Sequence, residues 1–238
     1  YFWALYRDML QKDGYEDGHV RFKEHYNDWR EIIASFGLGE RFANTDIREQ
    51  AKGYIPTTEF YNRVYGQKGW KAITIRSLSI GQGEILVTPL QLANQAAAIA
   101  NKGYYITPHF NRNDSMKSDI HTTLVDSIHF DVVHRGMERV MTNGTGRWYN
   151  IPELQMCGKT GTVQNPHGED HALFIGFAPM DNPQIAVAVA VENAGFGATW
   201  ACPIATLVME QYLTGEIQRN ALYERMANAN LIEEQDEQ

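Results

Sequence analysis

Lys159-Thr160-Gly161-Thr162 is the segment of this chain best equipped for chemistry. A lysine ammonium beside two hydroxyls can hold a carboxylate, the ammonium by charge and the hydroxyls by hydrogen bonds. Gly161 between them omits a side chain that would block a ligand approaching the backbone. On the edge of a sheet, the same segment would also offer backbone N–H groups to an extended peptide or to an oxyanion. Trp148 and Tyr149, shortly before it, are the aromatic candidates to line such a groove. Tyr104 and Tyr105 are weaker ones, because aromatics near strands more often serve the core. Cys157 shares the Lys159 face by strand alternation and reads as a buried thiol.

Other constellations promise less. His167, Glu169, Asp170 and His171 are metal-ligating types, but they lack the fixed spacing of known sites and fall on a hairpin tip, so a solvated turn is expected. His129 and His134, five apart, do not share a helical face, which points to surface or capping roles. Cys157 and Cys202 are too few for a disulfide framework and match no zinc or redox spacing, leaving them either paired or reduced.

The elements that must position the Lys-Thr-Gly segment are a meander of three strands. Residues 155–164 form the first, Asn165-Pro166-His167-Gly168 turns the chain, 171–178 form the second, Asp181-Asn182-Pro183 turns again, and 184–192 form the third. Such short connections make the strands antiparallel neighbours. Ile185, Val187, Val189 and Val191 alternating with alanine predict burial on both faces, hence helices on both sides of the sheet. One is predicted from Thr88-Pro89-Leu90-Gln91 to Gly103, with Pro at its first position and apolar on most sides. Others span about 131–141, ended by Asn143-Gly144, and about 202–213, ended by Gly215. Earlier, residues 1 to about 56 read as helical but polar, with an apolar stripe over 1–10 and a second helix expected over 27–36, stopping at Gly37-Leu38-Gly39. Residues 39–70 read as loop, and 104–110 as extended. The region from about 216 reads as a tail, frayed after Leu231. The fold class is α+β: an antiparallel sheet flanked by helices.

Composition limits the partners. Of 238 residues, 21 are Lys or Arg and 29 Asp or Glu, a formal charge of −8, which gives no grip on phosphate backbones, so nucleic acid is not an expected partner. A 43 % hydrophobic fraction supports a sizeable core. The longest strongly apolar stretch, 185–191, is far below the ~18 residues of a membrane helix, and the start Tyr1-Phe2-Trp3 lacks the pattern of a secretory signal.

Several blocks, in order, resemble the penicillin-binding proteins. Leu78-Ser79-Ile80-Gly81-Gln82-Gly83, Val87-Thr88-Pro89-Leu90-Gln91-Leu92-Ala93 and Ile99-Ala100-Asn101-Lys102-Gly103 precede Gly144-Thr145-Gly146 and Gly158-Lys159-Thr160-Gly161-Thr162. His171-Ala172-Leu173-Phe174-Ile175-Gly176-Phe177-Ala178-Pro179 and Val191-Glu192-Asn193 look like the two strands that follow. Lys-Thr-Gly is the third motif of penicillin-recognising serine enzymes. Over about residues 36 to 213 the chain is most similar to class B penicillin-binding proteins of the elongation type, the penicillin-binding protein 2 group.

The resemblance implies the C-terminal portion of a single transpeptidase domain, spanning 1–238. The implied activity is that of a D,D-transpeptidase, which joins peptidoglycan stem peptides ending in D-Ala-D-Ala through a serine acyl-enzyme and is trapped by β-lactam antibiotics. Lys159 would organise protons and attract the terminal carboxylate, Thr160 and Thr162 would bind it, and the Thr162 N–H would form half of the oxyanion hole. Gly161 would keep the edge open, and Trp148 and Tyr149 would line the substrate groove. No cofactor and no metal is expected. It works on the outer side of the cytoplasmic membrane, the periplasm, beside a glycan polymerase of the elongation machinery.

The departure from the pattern is equally specific. None of Ser35, Ser77, Ser79, Ser115, Ser118 and Ser127 has Lys three residues on, and there is no Ser-x-Asn. An aromatic pair like Tyr1-Phe2 follows that second motif in the family. The expectation is therefore a chain that begins just after it, incomplete at its N-terminus, inactive alone, with nucleophile and membrane anchor upstream. The third strand of the meander would then keep an open apolar edge. Alternatives within the superfamily are a β-lactamase or D,D-carboxypeptidase, which needs a base positioned for water. Outside enzymes, the alternatives are a β-lactam sensor domain and a purely structural fragment.

Overall fold

The computed structural model describes residues 18–111 and 119–231, so the expected apolar stripe over 1–10 and the fraying after Leu231 lie outside the described residues. The chain divides into two compact units, one of residues 1–88 and 106–125, the other of 89–105 and 126–238.

The first unit is built on aromatics. Helix α1 (Gly18–Ala34) is longer than its sequence suggested and carries Phe22, Tyr26 and Trp29 into the core. Residues 58–65, expected as loop, form helix α2 (Thr58–Tyr65). The side chain of Thr57 caps it by accepting from the Phe60 N–H at 3.1 Å. Tyr61 of α2 stacks on Trp70 at 4.9 Å, and Tyr26 meets the same indole edge-on at 5.6 Å. Each buried polar tip has a partner: Tyr26 Oη donates to Pro56 O, Tyr61 Oη to Glu84 Oε2, and Trp70 Nε1 to Asn62 Oδ1. A 3₁₀ turn at Arg76–Ile80 is closed by Gly81 at φ 74°, which explains the glycine of that block. Strand β1 (Tyr104–Ile106) is shorter than the extended 104–110 expected. Strand β2 (Ile120–Thr122) follows in the first unit.

The second unit contains the meander as expected: β3 (Cys157–Val163), β4 (His171–Ala178) and β5 (Ile185–Val191), antiparallel in the order β3-β4-β5. The register sets Lys159 opposite Ile175, Thr160 opposite Phe174 and Thr162 opposite Ala172. Helices cover both faces. On one lie α3 (Pro89–Ala100) and α4 (Phe130–Thr142), where Ala100, Met137, Cys157 and Phe177 form a small core. On the other lies α5 (Ala201–Thr214), whose Cys202, Ala205 and Met209 pack with Phe174, Met141 and Met156. Gly215 ends α5 at φ 83°.

Three expectations need correction here. β5 is not buried on both faces: Val187 is buried, but its neighbours are half-buried and Ala190 is exposed, β5 standing last in the sheet order among the described residues. His134 is not a surface residue; its Nε2 lies 2.7 Å from Ile99 O and its ring packs on Phe177, a carbonyl at the end of α3 having supplied the polar partner that burial needs. Within the stretch from 216, expected as a tail, stands helix α6 (Asn220–Ala227). It is tied back by a partly buried ion pair, Arg219 Nε to Glu210 Oε2 at 2.7 Å, with Gln218 N–H donating to Glu210 Oε1.

Candidate functional site

Strand alternation assigns each residue of the Lys-Thr-Gly segment its face. Gly158, Thr160 and Thr162 point to the α5 side with their register partners Gly176, Phe174 and Ala172; Cys157, Lys159 and Gly161 point to the α3 and α4 side. Since β3 ends the sheet order, a ligand along its outer edge can be reached from both faces. A Cβ on Gly158 would sit 2.1 Å from Phe174 Cζ, so a larger residue there would have to displace that buried ring. Lys159 is exposed and folds its Nζ back onto the carbonyl of Thr160. Cys157, two residues earlier on the same face, is fully buried as expected, and its Sγ lies 3.8 Å from His134 O.

Each threonine hydroxyl has a neighbour on the protein. Thr160 Oγ1 is 2.9 Å from Thr145 Oγ1, and Thr162 Oγ1 accepts from the Gly197 N–H at 3.4 Å. That second bond belongs to the segment between β5 and α5, which crosses β3 and β4 so closely that a Cβ on Gly197 would lie 2.2 Å from Gly161 O. The crossing leaves Phe196, next to Gly197, with 71 % of its surface exposed at the Thr162 end. Phe196 and Thr145 were not among the sequence candidates. A glycine-flanked Phe in Ala194-Gly195-Phe196-Gly197 was the available signal, whereas nothing local marks Thr145 as a neighbour of Thr160.

The two aromatic candidates part company. Trp148 is 78 % exposed, with the Arg147 guanidinium 4.7 Å from its ring centroid. Tyr149 is packed against the α5 core; its hydroxyl accepts from Arg225 Nη2 at 3.1 Å and its carbonyl from Arg219 Nη1 at 2.8 Å. These contacts anchor the segment ahead of β3. Tyr105 is buried and Tyr104 exposed.

The hairpin tip between β3 and β4 is a network of turn bonds. His171 Nδ1 accepts from the Asn193 N–H, and Asp170 Oδ1 from the Asn165 N–H. Among the described residues, no group of three or more His, Cys, Asp or Glu is arranged to hold a metal ion. Both cysteines are unpaired, and burial pushes each thiol up to about 12. No helix among the described residues is long and apolar enough to cross a membrane.

A helix-covered antiparallel sheet whose edge strand carries Lys-Thr-Gly defines the architecture of the penicillin-recognising serine enzymes. The sequence matches the penicillin-binding protein transpeptidase domain over residues 15–210, and the chain belongs to that family. It is 33 % identical over 214 residues to the peptidoglycan D,D-transpeptidase MrdA of Acinetobacter baumannii, covering 80 % of this chain and 31 % of the relative. Among solved structures it resembles PBP2 of Pseudomonas aeruginosa in complex with WCK 5153: TM-score 0.71, 33 % identity, 85 % of this chain and 46 % of the other. It also resembles the ceftriaxone acyl-enzyme complex of penicillin-binding protein A from Mycobacterium tuberculosis, with TM-score 0.64, 25 % identity, and 82 % and 46 % covered. The chain spans about a third of the length of the curated relatives it matches.

Proposed function

We propose that this chain supplies the Lys-Thr-Gly wall of a peptidoglycan D,D-transpeptidase of the elongation type, whose nucleophilic serine lies outside the 238 residues. The observation that carries this reading is a lysine, two threonine hydroxyls and a side-chain-free glycine on the outer edge strand of the sheet. A stem peptide lies extended along β3. Its terminal carboxylate takes hydrogen bonds from Thr160 and Thr162 and the charge of Lys159, which leaves the Thr160 carbonyl to reach it. The serine oxygen attacks the carbonyl of the penultimate D-Ala while the Thr162 N–H donates to the developing oxyanion. An ester forms and the terminal D-Ala leaves with the serine proton on its amine. The amine of a second stem then displaces the serine, forming the cross-link and returning a proton to the serine oxygen. A β-lactam acylates the same serine, but its leaving group stays tethered. Trp148 flanks the groove, and Tyr149 holds that flank in place.

Such an enzyme acts on the periplasmic side of the cytoplasmic membrane, anchored by a segment outside these residues, beside a glycan polymerase. On this reading the two units belong to one transpeptidase domain, a view supported by the family match running through both.

The test is intact-mass spectrometry after incubation with benzylpenicillin. One sample is this chain and the other a polypeptide joining it to Ser-x-x-Lys and Ser-x-Asn segments. A stable adduct on the joined polypeptide alone is expected, slowed at least tenfold by Lys159→Ala, in line with the loss of a charged hydrogen-bonding partner. An adduct on the 238-residue chain would mean that the nucleophile is misplaced. Rapid hydrolysis of the adduct would reassign the protein to the β-lactamases.

A further inference from the structure

We infer that Thr145 is a positioning residue for the ligand's carboxylate, acting through Thr160; the inference rests on the transpeptidase reading above. The two hydroxyl oxygens are 2.9 Å apart. A hydroxyl has one proton to give, and a carboxylate can only accept. With a carboxylate on β3, the arrangement that satisfies all three groups is Thr145 donating to Thr160 and Thr160 donating to the ligand. Each bond in such a chain polarises the next. Without Thr145, the Thr160 hydroxyl is free to rotate and must be ordered by the ligand itself.

The turn that carries Thr145 is wedged on both sides. A Cβ on Gly144 would lie 2.8 Å from Val140 Cα and 2.9 Å from Val140 O, and one on Gly146 would lie 2.6 Å from Met141 Sδ and 3.4 Å from Cys202 Sγ. The Gly146 N–H also donates to Val140 O at 3.0 Å. Two glycines thus press the turn onto the end of α4 and the start of α5, and the single side chain between them is the one that meets Thr160. Thr145 is itself exposed, so its substitution leaves the core intact.

The experiment compares acylation of the joined polypeptide by benzylpenicillin and by its methyl ester, which lacks the anion. Thr145→Val is expected to slow acylation by the acid roughly tenfold, as expected for weakening one hydrogen bond to a charged group. It should change the rate with the ester by less than about twofold, and Thr145→Ser should restore the acid rate. In a Thr160→Val background the Thr145→Val effect should vanish, since the residue acts through that hydroxyl. An equal slowing of acid and ester, or an undiminished effect in the Thr160→Val background, would overturn the role. Comparable melting temperatures of the Val and Ser variants serve as the folding control. Failure of the unsubstituted polypeptide to acylate at all would bring down the transpeptidase reading itself, a different result from any of these.

Discussion

Cys157 and Cys202 lie on opposite faces of the sheet, each fully buried, and their thiols rise from about 9 in the unfolded chain to about 12 in the fold. Desolvation is the main cause for both; Glu138 and Asp181 add to it at Cys157, while Arg219 opposes it at Cys202. A raised folded pKa contributes stability that is complete below pH 9. Above it the unfolded chain gives up protons that the folded chain keeps, so stability falls as the pH rises from about 9 towards 12. Tyr26 and Tyr61, also raised by burial, extend the loss above pH 10. The urea midpoint should therefore be level from about pH 7 to 8.5 and decline steeply beyond 9. At pH 8, iodoacetamide should leave the native chain unmodified and add twice once urea is present. Labelling of the native chain would show that one thiol is accessible and would remove its share of the alkaline slope.

At the scale of the element, the segment from β5 to α5 is the least replaceable part of the site, because it rests on backbone. A Cβ on Gly197 would meet Gly161 O at 2.2 Å and Leu173 O at 2.4 Å, neither of which is a flexible tip that can move aside. Gly197→Ala must lift the segment off β3 and lengthen the bond to Thr162; we expect a loss of about 1–3 kcal/mol in chemical denaturation. A change under about 0.5 kcal/mol would show that the crossing is loose. Gly195→Ala is the paired control, since that glycine has open space but sits at φ 78°, so its cost comes from backbone strain alone. The contrast between these glycines was invisible in the sequence, although the strands around them were not. β3, β4, β5, α3 and α5 lie within a few residues of their expected limits, because each combines clear periodicity with turn or cap residues at its ends. α2 was missed because eight residues give barely two turns of periodicity, and its Thr57 cap sat among other polar residues. Lys159, Thr160 and Thr162 were legible because their motif is contiguous. The packing of Tyr149 was not, since it depends on Arg219 and Arg225, seventy or more residues onward.

For the whole molecule, the side of the second unit away from β3 leaves apolar surface open among the described residues. Among the described residues β5 is a terminal strand in the sheet order, and beside its start an open apolar groove of about 590 Å³ is lined by Ile185, Leu207, Val208, Tyr212, Tyr223 and Met226. Tyr212 is 62 % exposed and Val208 46 %. An unpaired strand edge next to apolar surface favours pairing with another chain. The formal charge of −8 opposes this, and salt screens that repulsion, with a Debye length of about 30 Å at 0.01 M falling to about 8 Å at 0.15 M. The isolated chain should therefore bind an apolar dye and sediment increasingly as dimer or larger species as salt is raised. Charge-driven association would show the opposite dependence. Replacing Ala190, exposed on β5, by Lys and Tyr212 by Lys should each reduce association: the first acts through the strand edge and the second through the groove. If only the Tyr212 variant is effective, the groove makes the contact and β5 does not pair. A clean monomer at every salt concentration, without dye binding, would mean that this surface is tolerated as it stands, and the expected open edge would lose its consequence.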